Sequence, residues 1–182
     1  MTMNVRSLMK NKAAMALVLE QESPAVLCLQ ETWLSRPAPN LHDDYDRMQS
    51  VLKRNEGVAT YTKKIIAAKA FLKEEWSSTL MMVRVGDLII MNVYVSEGWK
   101  NEILNTVSRL SRQCVTDGLN VMVMGDFNLI PNEMSKVARK NELKLCPSPS
   151  EGTREGRNGS RNTLDYVMHD FEMEVTAPVV VP

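Results

Sequence analysis

The chain has 182 residues, 22 Lys plus Arg against 22 Asp plus Glu, and three cysteines. That length suits one domain with a sizeable core, and the charge balance supplies no global basic excess to attract a polyanion. Three cysteines do not make a disulfide framework, no Cys/His cluster has zinc-ligand spacing, and no apolar run is long enough to span a membrane. The N-terminus lacks a signal-peptide apolar core, so the expectation is an intracellular protein, cytoplasmic or nuclear, with free thiols.

In chain order, residues 2–6 read as a strand. Residues 11–21 read as a helix with Ala14, Leu17, Val18 and Gln21 on one face. Pro24 ends it, and residues 25–29 form the next strand. Residues 35–45, with Pro37, Pro39 and Asn40 near Asp43 and Asp44, read as a loop. Residues 57–62, 79–85 and 88–95 read as strands. Gly86-Asp87 is a tight turn joining the last two as an antiparallel hairpin. Residues 99–116 read as a helix, because Ile103, Val107, Leu110 and Cys114 recur at three- and four-residue steps. A strand from Val121 follows, then a short helix near 133–141. A loop rich in Pro, Ser, Gly and Arg covers 147–162, and two further strands follow it. No internal repeat is visible. The hairpin argues against a purely parallel sheet, so the pattern alone implies α/β or α+β.

The stretch Val121-Met-Val-Met-Gly-Asp-Phe-Asn128 carries the clearest chemistry. An apolar run ends in a glycine turn with one carboxylate, Asp126, and one carboxamide, Asn128. Alternation in extended backbone sends Phe127 inward and leaves Asp126 and Asn128 facing the same way. A carboxylate can orient or activate a water, and an amide can donate hydrogen bonds to phosphate oxygens. Taken alone, the motif reads equally well as a strand-turn with Asp and Asn as turn formers. Other segments repeat the arrangement. Leu27-Cys-Leu-Gln-Glu-Thr-Trp-Leu34 places Glu31 just past an apolar strand. Asn4 lies in the first strand, Tyr94 near the end of another, and Asp165 in the apolar company of Asn162-Thr-Leu-Asp-Tyr-Val-Met168.

These five segments, in this order from residue 2 to about residue 170, resemble the endonuclease/exonuclease/phosphatase superfamily. "Asn-Val-Arg-Ser-Leu", "Leu-Gln-Glu-Thr-Trp-Leu", "Gly-Val-Ala" at Gly57 to Ala59 and "Leu-Asp-Tyr-Val" look most like its LINE-type retrotransposon endonucleases. The resemblance implies an α/β four-layer sandwich of two packed mixed sheets flanked by helices, in a single domain over residues 1–182. It implies Mg²⁺ or Mn²⁺ as cofactor, with Glu31 the principal ligand and Asn4 near the metal and phosphate. Asp126 would position the attacking water, with Asn128 and the Tyr94 hydroxyl reaching the phosphate. The implied activity is nicking of DNA. Alternatives are a phosphatase for small or lipid-linked phosphates and a phosphate- and metal-binding module without turnover.

Three departures stand out. In the family, the Asp165 position orients a histidine from a Ser-Asp-His segment on a final strand. This chain stops at Val179-Val-Val-Pro182 without that segment, so the expectation is a domain lacking its C-terminal strand and slow in turnover. His42 reads as a solvated loop residue. His169, four residues along one strand from Asp165, would be roughly 13 Å away. The segment between Asn128 and Asp165 is short for a nuclease that grips duplex DNA. Arg6 stands where apurinic endonucleases tend to have an acid, a change that retrotransposon relatives tolerate. DNA contact would rest on local basic groups, best among them Arg154, Arg157 and Arg161 before the Asp165 strand.

Overall fold

The computed structural model describes residues 1–50, 55–147, 154–155, 161–162 and 165–172. Strand β2 (Val26–Gln30) shows why its neighbours fold as they do. Val26 and Cys28 project to one face, Leu27 and Leu29 to the other, and all four are buried. A strand apolar on both faces needs cover on both. Helix α1 (Lys12–Gln21) covers one face with Met15, Val18 and Leu19. A second sheet covers the other.

The first sheet joins β1 (Thr2–Asn4), β2, β3 (Tyr45–Gln49) and β4 (Val58–Lys63) in the order β1-β2-β4-β3. Here β1 and β2 run parallel, and β4 is antiparallel to both of its neighbours. The second sheet contains β5 (Lys69–Ala70), β6 (Leu80–Val85), β7 (Leu88–Tyr94), β8 (Asn120–Asp126), β9 (Lys144–Leu145) and β12 (Asp165–His169). Its order is β5-β6-β7-β8-β12-β9. Among the described residues of this sheet only the β7–β8 pairing is parallel, and α2 (Lys100–Thr116) makes the crossover that a parallel pair requires. Short strands β10 (Arg154–Glu155) and β11 (Arg161–Asn162) pair with each other.

Three buried clusters fill the layers. One lies between α1 and the first sheet. A second, with Cys28, Val58, Met81, Ile90 and Met124, lies between the sheets. The third packs α2 and α3 (Pro131–Lys140) against the outer face of the second sheet through Val107, Leu110 and Met134. The expected sandwich of two mixed sheets flanked by helices is therefore present. The hairpin at Gly86-Asp87 is present too, with Val85 opposite Leu88.

Some local expectations change. The buried face of α1 is Met15, Val18 and Leu19, and Leu17 is exposed. Alanine, leucine and valine surround this helix, so its own periodicity does not select a face; contact with Leu27 and Leu29 does. Strand β3 was not legible, because an edge strand with exposed Asp46 and Arg47 lacks an apolar signature. Part of the 147–162 loop is paired as β10 and β11. Of the two strands expected after it, β12 is one; the other lies outside the described residues.

Gly125 is not in a turn but inside β8, opposite Val93 of β7. Its φ is +152°, and a Cβ there would lie 1.8 Å from the Val93 carbonyl oxygen. The side chain is excluded by the backbone of the neighbouring strand. Gly125→Ala should therefore cost more than about 4 kcal/mol or abolish folding, because β7 cannot move aside without breaking the ladder. Gly86→Ala is the control. Its φ is +58° with nothing within 4 Å of a new Cβ, so strain of only about 1–2 kcal/mol is expected. Urea midpoints of the two variants check the contrast.

Candidate active site

The parallel pairs β1/β2 and β7/β8 bring their carboxyl ends to one mouth between the sheets. Such ends are where open α/β sheets place ligands. Asn4 is aligned with Gln30 in the first sheet, Tyr94 with Asp126 in the second, and Asp165 faces Asp126 from β12.

Glu31 leaves β2 with φ +51°, a left-handed conformation that is costly for a residue with a Cβ. The chain around it holds it there. Ser7 N donates to Glu31 O at 2.8 Å and Leu8 N to Thr32 O at 2.9 Å. From the other side, Thr32 N donates to Gly57 O at 3.0 Å and Trp33 N to Glu56 O at 2.9 Å. Position 57 must be glycine, since its φ is +109° and a Cβ would meet Thr32 Oγ1 at 2.7 Å.

Asp126 is almost wholly buried, and its Oδ1 accepts a hydrogen bond from Asn128 N at 3.0 Å. Asn128 has φ +47°, so it is not extended, and the alternation expected to align it with Asp126 does not hold. The Asn128 side-chain amide nitrogen donates to Val95 O at 2.9 Å. Phe127 enters the core as expected and meets Tyr166 edge-on. Tyr166 also donates to Leu129 O at 3.0 Å, anchoring the segment after β8 from β12.

One contact ties the two sheets' carboxylates together. Asn4 Nδ2 lies 2.6 Å from Glu31 Oε1 and 2.6 Å from Asp126 Oδ2. Two carboxylates thus converge on a single point. Tyr94 lies near them, close enough to feel both charges. Burial first, then the charges of Glu31 and Asp126, push the Tyr94 hydroxyl pKa far above its usual value, so it stays a neutral donor.

The donor set suits a hard cation. Magnesium usually takes one or two protein carboxylates, completing its shell with water and substrate oxygens. An ion between Glu31 and Asp126 would find both oxygens that now share the Asn4 amide. Asn4 turns its nitrogen, not its oxygen, into this gap, and its Oδ1 accepts from Arg6 N at 3.2 Å. Ligation by Asn4 would need the amide to rotate. Among the described residues, no group of three His, Cys, Asp or Glu forms a metal cluster.

Neither histidine reaches this mouth. Every residue of β12 from Asp165 to His169 stays in register with β8, so no bend shortens the distance between them. The His169 ring lies 2.7 Å from Phe171 O. His42 sits beside Tyr45, whose partner Lys63 is at the far end of β4 from Val58, the partner of Gln30. Arg157 and the side chains of Arg154 and Arg161 lie outside the described residues.

Sequence reasoning missed Gln30, Asn92 and Glu56. Gln30 Nε2 donates to Asn92 Oδ1 at 2.7 Å across the sheet interface, directly behind the mouth. Asn92 Nδ2 donates in turn to Ala59 O at 3.0 Å. The signal was present: each is a lone amide in an apolar strand, which must find a partner when buried. Glu56 stands beside the mouth, its charge felt by Tyr94, and accepts a hydrogen bond from Ser78.

A family profile described as "Endonuclease/Exonuclease/phosphatase family" matches residues 1–181. The chain belongs to the endonuclease/exonuclease/phosphatase family. Solved structures agree on the fold of this family domain. An AP endonuclease from Archaeoglobus fulgidus aligns with TM-score 0.73 at 17% identity, covering 93% of this chain and 85% of the other. The 3'-5' exonuclease NExo from Neisseria meningitidis aligns with TM-score 0.76 at 16% identity, covering 92% and 85%. The endonuclease domain of TRAS1, a telomere-specific non-LTR retrotransposon, aligns with TM-score 0.72 at 11% identity, covering 92% and 82%. No curated protein sequence matches.

The tyrosines of this family domain provide a pH test. All four, Tyr45, Tyr61, Tyr94 and Tyr166, have hydroxyl pKa values raised by burial, Tyr166 to about 12. A raised folded-state pKa contributes stability that is complete below the unfolded value, near about 10, and lost as pH rises through the folded values. Tyrosinate absorbance should therefore stay silent near about pH 10 and appear together with unfolding at higher pH. An ordinary titration near about 10 with the fold retained would contradict the burial of these hydroxyls.

Proposed function

We propose that this chain is a Mg²⁺- or Mn²⁺-dependent phosphodiesterase that nicks DNA, of the retrotransposon-endonuclease type. The carrying observation is the convergence of Glu31 and Asp126, from different sheets, on the one amide nitrogen of Asn4. Glu31 would hold the cation, with Asn4 beside it. Once bound, the cation would neutralise phosphate charge and stabilise the leaving oxygen. Asp126, held by the Asn128 amide N–H, orients the attacking water. The protonated Tyr94 hydroxyl and the Asn128 amide donate hydrogen bonds to phosphate oxygens. Asp165, aligned with Asp126, completes the proposed catalytic set; its expected role is to orient a histidine.

Zero net charge favours a second reading, a phosphatase for small or lipid-linked phosphates. The absence of both His42 and His169 from the mouth favours a third, a binding module without turnover. Supercoiled-plasmid nicking with Mg²⁺ separates them. Asp126→Ala should slow nicking by about 10²–10⁴-fold, the usual worth of a residue that manages the water's proton. Cleavage of small phosphate esters without detectable DNA affinity would favour the phosphatase. Equal rates for the chain and Asp126→Ala, with the fold intact, would favour the binding module.

Metal binding gives a separate check. Glu31→Gln should weaken Mn²⁺ binding by calorimetry. Asn4→Asp would add a third carboxylate to the pair, so it should lower thermal stability without metal and make Mn²⁺ more stabilising than in the parent chain. Equal Mn²⁺ binding by Glu31→Gln and the parent would move the ligand role elsewhere.

A further inference from the structure

A cavity of about 370 Å³ opens beside the active-site mouth, not within it. One wall is the α2 face carrying Glu102, Ile103, Thr106 and Arg109, and the other is the segment Ser77 to Leu80. It adjoins the mouth in two ways. Glu56 belongs to the cavity lining and also acts on the Tyr94 hydroxyl. Tyr94 N donates to Thr79 O at 2.8 Å, so the strand bearing Tyr94 is bonded to the cavity wall. The volume is at the small end of the about 300–1,000 Å³ usual for ligand pockets.

Its lining has a distinct chemistry. Trp99 is 55% exposed at the edge of α2, unusual for a large aromatic side chain. The turn Glu97–Trp99 fixes its position, with Trp99 N donating to Ser96 O at 3.1 Å. Three carboxylates, Glu56, Glu75 and Glu102, face one guanidinium, Arg109, which is paired with Glu75 at 2.7 Å. Among the described residues Glu102 makes no ion pair. Such a lining repels phosphate. It accepts hydrogen bonds from amines, and the indole offers a flat face for stacking. An amine-bearing heteroaromatic ring satisfies both features.

We propose that this cavity is a nucleobase subsite: Trp99 stacks on the base of a nucleotide near the scissile phosphate, and Glu102 accepts a hydrogen bond from the exocyclic amine of adenine or cytosine. The proposal rests on the reading of the mouth as a phosphodiesterase and adds a preference to it. A base held on Trp99 is out of the duplex stack, so unpaired or frayed DNA with A or C beside the cleavage point is the preferred substrate.

Uncharged nucleosides test the subsite without metal or turnover. The parent chain, Trp99→Phe, Trp99→Ala and Glu102→Gln are titrated with deoxyadenosine, deoxycytidine and thymidine, following the tryptophan indole N–H signals by NMR. The Trp99 signal should shift with deoxyadenosine and deoxycytidine and less with thymidine, which lacks the amine. Trp99→Ala should weaken binding roughly 5- to 150-fold, the range for losing one base stack. Trp99→Phe should restore most of it, and Glu102→Gln should remove the preference over thymidine. In a second arm, Trp99→Ala should raise KM for single-stranded oligonucleotides while leaving hydrolysis of base-free bis(p-nitrophenyl) phosphate unchanged. No response of Trp99 to any nucleoside, or equal binding of thymidine, overturns the subsite. If the parent hydrolyses neither substrate yet shows the nucleoside pattern, the catalytic reading fails while the subsite stands.

Discussion

The hydrogen bond between Gln30 and Asn92 is the constraint on which the rest of the mouth depends. The two side chains come from different sheets and meet in a largely apolar interface, where Asn92 Nδ2 also donates to Thr60 Oγ1 at 3.2 Å. Leaving either amide unpaired there would cost about 1–3 kcal/mol, so one sliding position of the sheets is strongly preferred. Apolar packing between Cys28, Ile90 and Met124 tolerates small shifts; a satisfied polar pair does not. Glu31 follows Gln30 directly, and Tyr94 lies two residues beyond Asn92. The bond that aligns the sheets therefore also sets the spacing of the carboxylates.

Charge at the mouth is the second organising feature. The chain as a whole is neutral, yet Glu31, Asp126, Asp165 and Glu56 gather at the ends of a few strands. Neighbouring carboxylates repel, and burial of Asp126 strengthens the effect. In the structure the Asn4 amide donates into this field, and the Tyr94 hydroxyl beside it is held neutral. A cation would do the same more strongly. The neutrality of the whole molecule and the acidity of its mouth are thus compatible: the first describes the average surface, the second a local field focused by low-dielectric walls.

Backbone strain marks the same region. Glu31, Trp33 and Asn128 all have positive φ near the mouth. Each is held by hydrogen bonds from a different segment, so the strain is offset by the surrounding fold. Gly125 and Gly57 make the complementary contribution, allowing backbone to approach where a Cβ would collide. Side chains thus reach one mouth from strands remote in sequence, because the main chain adopts conformations that isolated segments would avoid.

Continuous apolar runs at residues 25–29, 88–95 and 121–124 were enough to read central strands of both sheets. The Gly86-Asp87 turn and the periodicity of α2 were legible for the same reason: each is a local pattern with a local cause. Asn4, Glu31, Tyr94, Asp126, Asn128 and Asp165 were singled out by their places in or just after such runs and by the family resemblance. Their roles remain proposals. The buried face of α1, edge strand β3, the inter-sheet pair Gln30–Asn92 and the cavity beside Trp99 were not legible. Each depends on what a distant segment places opposite it. Sequence by itself determined which apolar runs become strands and which face of α2 is buried, because those follow from local periodicity. Only the tertiary structure decided which ends meet, because packing and buried hydrogen bonds act between residues far apart in the chain.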